Sequence, residues 1–432
     1  MKVVKWISIF LGLLAVGGLA LIGVLSMTRG TPISGVRAVG RTGAPPAIGN
    51  SLFLRTMELY TGLHVQTGNR VDVMLNGDGS YPQLWRDIAG ARKSITIQLY
   101  YSQPGATADS MAMFLSERAR AGIRVELLID AFGSQNLTRE WRQGLRAAGV
   151  HLAELRPLHW YSLHLASQRS HVRAITIDGT IGWTGGFGLA DYWQGDGLHE
   201  DQWRDTNVRF TGPAVAQLQA AFITAWAEAT GELLAGDFYF PRSTFVEDGG
   251  IIAGLLLTSP TTGSTAAERF VALTIVGARR TLYITNSYFV PDDDFRSLLA
   301  GARKRGVDVR VLTAGDKSDI KSTRHAGRDR YEELLRAGVR IFEYQPAMIH
   351  AKVIVADGLW IAIGSLNFDN RSLAFNNESS LLVLDAPFGA MNDSLFLNDL
   401  THSKEILLPE FVKRGVVERM KEKGSSLLSR IL

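Results

Sequence analysis

At 432 residues the chain has room for two ordinary domains or one two-lobed enzyme with a sizeable core. The absence of cysteine excludes disulfides, thiolate catalysis and any cysteine-based zinc site, and leaves the redox compartment open. A formal charge of +4 and a pI of 9.2 favour an anionic partner only mildly, and lipid headgroups and nucleic acid both meet that requirement.

Trp6 to Met27 is an unbroken apolar run with Ser8 and Ser26 as its only polar residues. At about 1.5 Å per residue it reaches across the roughly 30 Å of a bilayer core. The apolar region of a signal peptide is shorter, about 7–15 residues. Leu25-Ser-Met-Thr28 is also a poor cleavage site, so residues 1–30 are expected to be an uncleaved transmembrane anchor. Lys2, Lys5 and the free amine favour an amino end inside the cell and a body on the non-cytoplasmic side, whereas Arg29, Arg37 and Arg41 pull the other way. Residues 31–61 are expected as a tether, Thr31 to Asn50 being rich in Gly and Pro.

From Gly62 onward the chain reads as two similar halves. Ala91-Arg-Lys-Ser-Ile-Thr-Ile-Gln-Leu-Tyr-Tyr101 returns as Ala278-Arg-Arg-Thr-Leu-Tyr-Ile-Thr-Asn-Ser-Tyr288. Two further pairs, around Gly122 and Gly306 and around Gly149 and Gly338, repeat a helix end, a glycine stop and a β-branched strand in the same order. Duplicated alternation of helix and strand predicts an α/β fold of mostly parallel sheets covered by helices. The join lies between Gly236 and Thr265, where Gly and Pro cluster, which gives lobes at 62–240 and 241–432.

Each half holds one dense cluster of reactive residues. In the second it is His350-Ala-Lys352-Val-Ile-Val-Ala-Asp357-Gly358-Leu-Trp-Ile-Ala-Ile-Gly364-Ser365-Leu-Asn367. It reads as strand, Asp-Gly turn and returning strand, with His350 and Lys352 on one face. An imidazole, a fixed cation and small hydrogen-bonding residues at one spot describe a phosphate site. The first half carries His171-Val-Arg173-Ala-Ile-Thr-Ile-Asp178-Gly179-Thr-Ile-Gly-Trp-Thr-Gly185-Gly186-Phe-Gly188, with both histidines and both aspartates 179 residues apart. Arg173 stands where the second copy has lysine, and Gly188 where it has Asn367.

The spacing His-x-Lys-(x)4-Asp-(x)6-Gly-Ser-x-Asn resembles the signature of the phospholipase D superfamily. Trp203-Arg204-Asp205, Tyr288-Phe-Val-Pro291-Asp292 and Asn370-Arg371-Ser372 extend the resemblance to bacterial cardiolipin synthases, over about Val71 to Leu432. It implies two duplicated α/β/α sandwich lobes in one chain, with both motifs at one cleft. It also implies a phosphatidyltransferase of the bacterial cell membrane acting through a phosphohistidine, without metal or other cofactor. The resemblance makes His171 the nucleophile and His350 the acid/base, while the sequence leaves their order open. His171, His350, Lys352, Asp178 and Asp357 make up the expected catalytic set, the two aspartates bracing the hairpins. Arg173, Lys352, Ser365 and Asn367 are expected to bind phosphate, and Gly185, Gly186 and Gly364 to support the site.

Each imidazole needs a carboxylate to fix its tautomer. Asp205, downstream of His171, and Glu378, downstream of His350, stand where the resemblance places such acids. The expected substrate is a phospholipid, with phosphatidylglycerol favoured, and the modest charge argues against nucleic acid. A hydrolase giving phosphatidic acid, a nuclease of the same superfamily and a catalytically impaired lipid-binding protein stay open at this point. His159 and His164 flank Trp160-Tyr161, an aromatic stretch suited to a cleft rim or to packed surface, and the tail from Phe411 is expected to cap the second lobe.

Overall fold

The computed structural model describes residues 2–28, 33–39, 43–157, 168–241, 250–261 and 263–427. The aromatic stretch around Trp160 lies outside them, as do parts of the expected tether and of the join between the lobes.

The first half supplies strands β1 (Gln66–Leu75), β2 (Ser94–Leu99), β3 (Arg124–Asp130), β4 (His151–Leu155), β5 (Ala174–Ile177), β6 (Ile181–Gly185), β7 (Trp203–Arg204) and β8 (Thr206–Thr211). The second supplies β9 (Ile251–Thr258), β10 (Thr281–Asn286), β11 (Asp308–Ala314), β12 (Arg340–Tyr344), β13 (Met348–Ile349), β14 (Lys352–Ala356), β15 (Trp360–Gly364), β16 (Glu378–Leu384) and β17 (Ser403–Glu405). In the first lobe the spatial order is β1-β8-β6-β5-β2-β3-β4, and the second repeats it as β9-β16-β15-β14-β10-β11-β12 with β17 added at the edge. An irregular antiparallel pairing of β1 with β9 joins the two halves.

The expectation of mostly parallel sheets is corrected. Among the described residues, the parallel pairings within each lobe are β2-β3-β4 and β10-β11-β12, linked by helices such as Ala106–Arg120 and Asp293–Lys304. The other pairings within each lobe are antiparallel. The motif hairpins themselves impose this, because strands joined by a two-residue turn must run in opposite directions.

Helices cover both faces of each sheet. Outer clusters are built on Leu84, Met111 and Leu145 in the first lobe and on Phe270, Leu299 and Tyr331 in the second. A central cluster draws on both lobes, with Val208, Phe210 and Leu218 meeting Leu255, Ile361 and Leu381. The tail helix Val416–Leu427 packs on Lys321–Arg336 and does cap the second lobe, where Arg328 reaches both Glu418 and Glu422.

The stretch expected as a tether is only partly one. Ser51–Thr61 is a helix, N-capped by the Asn50 side chain, that packs on Ala266–Gly277 of the second lobe. Phe53 and Met57, four apart on one helix face, are buried there, and Phe53 meets Trp360 edge-on at 5.6 Å. Ahead of it, the helix Lys2–Thr28 contains a span, Val4–Leu21, long and apolar enough to cross a membrane, and none of that span is buried against the body.

The two lobes also exchange backbone. β7 pairs in parallel with β13, matching Trp203 to Met348 and Arg204 to Ile349. Arg204 then makes a two-pronged contact with Asp399, at 3.0 and 2.8 Å, with both side chains buried. Removing one partner strands the other charge, so Asp399→Ala is expected to destabilise the protein by about 3–5 kcal/mol. Denaturant unfolding of the two proteins measures this, and equal midpoints would contradict it.

Candidate active site

Both motif hairpins turn at an Asp-Gly pair in left-handed conformation, with φ of 53° and 65° at Asp178-Gly179 and 57° and 61° at Asp357-Gly358. Asp178 accepts the backbone N–H groups of Arg92, Lys93 and Ser94, and Asp357 those of Arg279, Arg280 and Thr281. Each carboxylate therefore ties its hairpin to the start of the neighbouring strand. Their inclusion in a catalytic set is corrected: neither lines the cleft where the histidines meet. A residue at the turn end of a strand pair cannot also sit at its open end.

His171 and His350 both line one cleft of about 500 Å³. Their carboxylates are exchanged between lobes. Nδ1 of His171 lies 2.8 Å from Oε2 of Glu378, and Nδ1 of His350 lies 2.9 Å from Oδ2 of Asp205. A carboxylate oxygen accepts, so Nδ1 carries the proton in each ring and Nε2 keeps its lone pair. The backbone repeats the exchange: the His171 N–H donates to Asn377 O at 2.8 Å, and the His350 N–H to Arg204 O at 2.7 Å. Asp205 and Glu378 are thus the imidazole partners, each serving the histidine of the opposite lobe.

The two carboxylates are buried differently. Glu378 accepts from Ser365 Oγ at 2.5 Å, Ser372 Oγ at 2.7 Å and Asn376 Nδ2 at 3.3 Å. Ser365 was expected to bind phosphate, and this is corrected, because its hydroxyl is engaged by a carboxylate that burial leaves dependent on such donors. Asp205 instead accepts from Trp193 Nε1 at 2.8 Å and from the Thr206 N–H. Trp193 stands 179 residues before Ser372 and supplies the equivalent hydrogen bond from an indole. Gly186, at the same interval from Ser365, leaves space for Asp205, since a Cβ there would come 2.2 Å from the carboxylate. Gly185 and Gly364 play matching parts by letting β6 and β15 approach Asn207 and Ser380.

Both motif cations are buried. Lys352 Nζ donates to its own motif carbonyl, His350 O, and to Ser287 Oγ at 2.9 Å. Arg173 does the same with His171 O at 3.0 Å, and its Nε donates to Phe187 O at 2.7 Å. The larger guanidinium is therefore accommodated by one extra backbone acceptor. Asn367 lines the cleft with its Oδ1 unpartnered. Its counterpart Gly188 could not carry an asparagine in this packing, because a Cβ there would meet the Trp193 ring and Tyr101 O at 2.8 Å. Trp193 occupies the space of the missing amide.

Sequence reasoning missed the aromatic walls. Tyr100 stands edge-on to His171 at 5.1 Å, and Trp193, Trp203 and Tyr288 surround His350 at 5.3, 4.9 and 6.4 Å. The repeat ending in Tyr101 and Tyr288 was a signal for part of this, since both line the cleft. Among the described residues no three His, Asp or Glu side chains are grouped so as to hold a metal ion.

Electrostatics follow from enclosure. Burial, with Arg173 adding to it, lowers His171 to about 4, and burial with Lys352 lowers His350 to about 3. Burial likewise pulls Lys352 down to about 7 against the attraction of Asp205. Burial would raise Asp205, but His350 and Lys352 outweigh it and hold the carboxyl at about 2. An anionic phosphodiester in the cleft would favour the charged forms of imidazole and ammonium.

Two outcomes are expected. In nitrogen NMR of the ligand-free protein, both site imidazoles stay neutral down to about pH 5, and added tungstate raises at least one of them. A site imidazole titrating at 6.5 without ligand would contradict the burial argument. Gly188→Asn is expected to cost about 1–3 kcal/mol by overpacking, and to cost less when introduced into Trp193→Ala than into wild type, compared pairwise in thermal melts.

The site can be set beside known proteins. Residues 272–400 match the family model described as cardiolipin synthase, PLD-like domain. The chain is 33% identical over 371 residues to a cardiolipin synthase of Geobacillus kaustophilus, covering 85% of this chain and 73% of that protein. It is 30% identical over 383 residues to cardiolipin synthase A of Pseudomonas putida, covering 88% and 78%. Among solved structures, the phosphatidylserine synthase of Haemophilus influenzae superposes with a TM-score of 0.67 at 13% identity, covering 88% of this chain and all of that one, which shows a shared fold. With such identity across most of both sequences, the chain belongs to the bacterial cardiolipin synthase family of phospholipase D-like proteins.

Proposed function

We propose that the chain is a membrane-anchored phosphatidyltransferase that moves a phosphatidyl group from one phospholipid to a hydroxyl of another, with phosphatidylglycerol as donor and acceptor. The observation that carries this reading is the pair of carboxylate-braced imidazoles facing one cleft, each with a buried cation bonded to its own carbonyl. Family membership supports the lipid substrate, since the relatives are named cardiolipin synthases.

Arg173, Lys352 and Asn367 hold the phosphodiester oxygens and offset the charge that repels a nucleophile. The Nε2 lone pair of His171 attacks phosphorus, forming a P–N bond as the P–O bond to glycerol breaks. His350, protonated once the anion is bound, gives its proton to the departing alkoxide. It then takes the proton of the incoming hydroxyl, whose oxygen displaces His171 from phosphorus. Glu378 keeps the nucleophile's tautomer, and Asp205 stabilises the imidazolium that forms at His350. Residues 62–240 and 241–432 are taken as the two lobes, on the non-cytoplasmic side of the bacterial cell membrane, an orientation supported by Lys2 and Lys5.

The test is purified protein in phosphatidylglycerol vesicles with lipid products followed by mass spectrometry. Wild type is expected to form cardiolipin and release glycerol. His171→Ala and His350→Ala are each expected to lose about 10³-fold or more. Phosphatidic acid as the only product would make the enzyme a hydrolase, and full activity in either variant would refute the shared site.

A further inference from the structure

Arg173 is not the only cation that lines the cleft. Arg371, half-buried, lines it beside Tyr100, Asn367 and Asn376. Among the described residues no carboxylate comes within ion-pair distance of its guanidinium. Of the two acids that line the cleft, Asp369 accepts the backbone N–H groups of Ser372 and Arg371 and feels the Arg371 charge without forming an ion pair, and Asp319 takes the Tyr288 hydroxyl on both oxygens.

The duplication makes this charge informative. The imidazoles and cations that act on one phosphorus come in pairs at the 179-residue interval, His171 with His350 and Arg173 with Lys352, whereas Asn367 faces a glycine, Gly188. At that interval from Arg371 stands Tyr192, which also lines the cleft. One wall is therefore cationic where the other is aromatic, a difference that displacement at a single phosphorus does not require. Asn367 and Asn376 border the same wall, each with a buried Oδ1 that lacks a partner. A guanidinium without an ion pair on that wall suits a ligand with a second anionic group.

We infer that Arg371 holds the phosphodiester of the acceptor lipid, so that the cleft selects the polyol headgroup of an anionic phospholipid over free glycerol or water. The inference rests on the transfer reaction proposed above. In the step concerned, a headgroup hydroxyl oxygen forms the new P–O bond, the P–N bond to His171 breaks, and the hydroxyl proton passes to His350. Arg371 takes no part in bond making. It positions the acceptor.

The phosphatidyl-enzyme is a branch point, so its partition reads acceptor choice independently of how fast it forms. Phosphatidylglycerol vesicles are supplied with isotopically labelled glycerol, and cardiolipin is measured against labelled phosphatidylglycerol in the same reaction. Arg371→Gln is expected to lower that ratio by about tenfold or more, and Arg371→Lys to keep most of it, because hydrogen bonds to charged groups are worth that much. A ratio unchanged in Arg371→Gln overturns the inference whatever the total turnover. Should Arg371→Gln not fold, wild type is offered labelled glycerol and labelled glycerophosphoglycerol at equal concentration: preferential transfer to the phosphodiester-bearing acceptor supports the inference, and equal transfer to both overturns it. Wild type that yields neither labelled lipid nor cardiolipin would refute the transfer reading itself, a different result from an unchanged ratio.

Discussion

The two lobes are held together at the residues that do the chemistry. Each motif histidine gives its backbone N–H to the residue just before an acid of the opposite lobe, and its ring Nδ1 meets that acid. Separating the lobes would therefore break four hydrogen bonds and expose two buried carboxylates facing two imidazoles. The site cannot form in one lobe alone. The Arg204–Asp399 contact reinforces the same seam, since its guanidinium also reaches Asp205 O and Thr206 Oγ1.

Burial of this many charged groups is costly unless each is paired. The structure meets the requirement with neutral donors as much as with counter-charges. Three side chains surround Glu378, an indole and a backbone amide serve Asp205, and backbone carbonyls receive Arg173 and Lys352. Backbone acceptors leave the net positive charge of the two cations in place, which a phosphodiester can then use. Enclosure also favours neutral imidazoles, so the proton needed for a leaving alkoxide is best retained once an anion is bound.

Departure from two-fold symmetry falls on one side. Trp193 replaces the serine donor, fills the place of an asparagine at Gly188 and faces His350 edge-on. One indole thus ties together three differences between the copies, which explains how the first motif can depart from the second without losing the carboxylate brace. What looks in sequence like decay is a repacked wall.

The duplication, the two Asp-Gly hairpins and the pairing of His171 and Arg173 with His350 and Lys352 were legible in the residues alone, because these are local: spacing, turn chemistry and strand alternation act within a few residues. The sequence also pointed to Asp205 and Glu378, but as acids downstream of their own histidines. Which histidine each serves depends on how the lobes face one another, a contact between residues 145 and 207 positions apart that no local pattern encodes. The same holds for Ser365, whose hydroxyl could serve phosphate or carboxylate equally until Glu378 is seen beside it. It holds for the antiparallel share of the sheets, where helix and strand alternation suggested parallel order. The helix Ser51–Thr61 was hidden in a stretch taken as a tether because the surface it covers, around Trp360, comes from the far end of the chain. Chemistry was legible from residue types held close in sequence, and its geometry was decided by packing between distant segments.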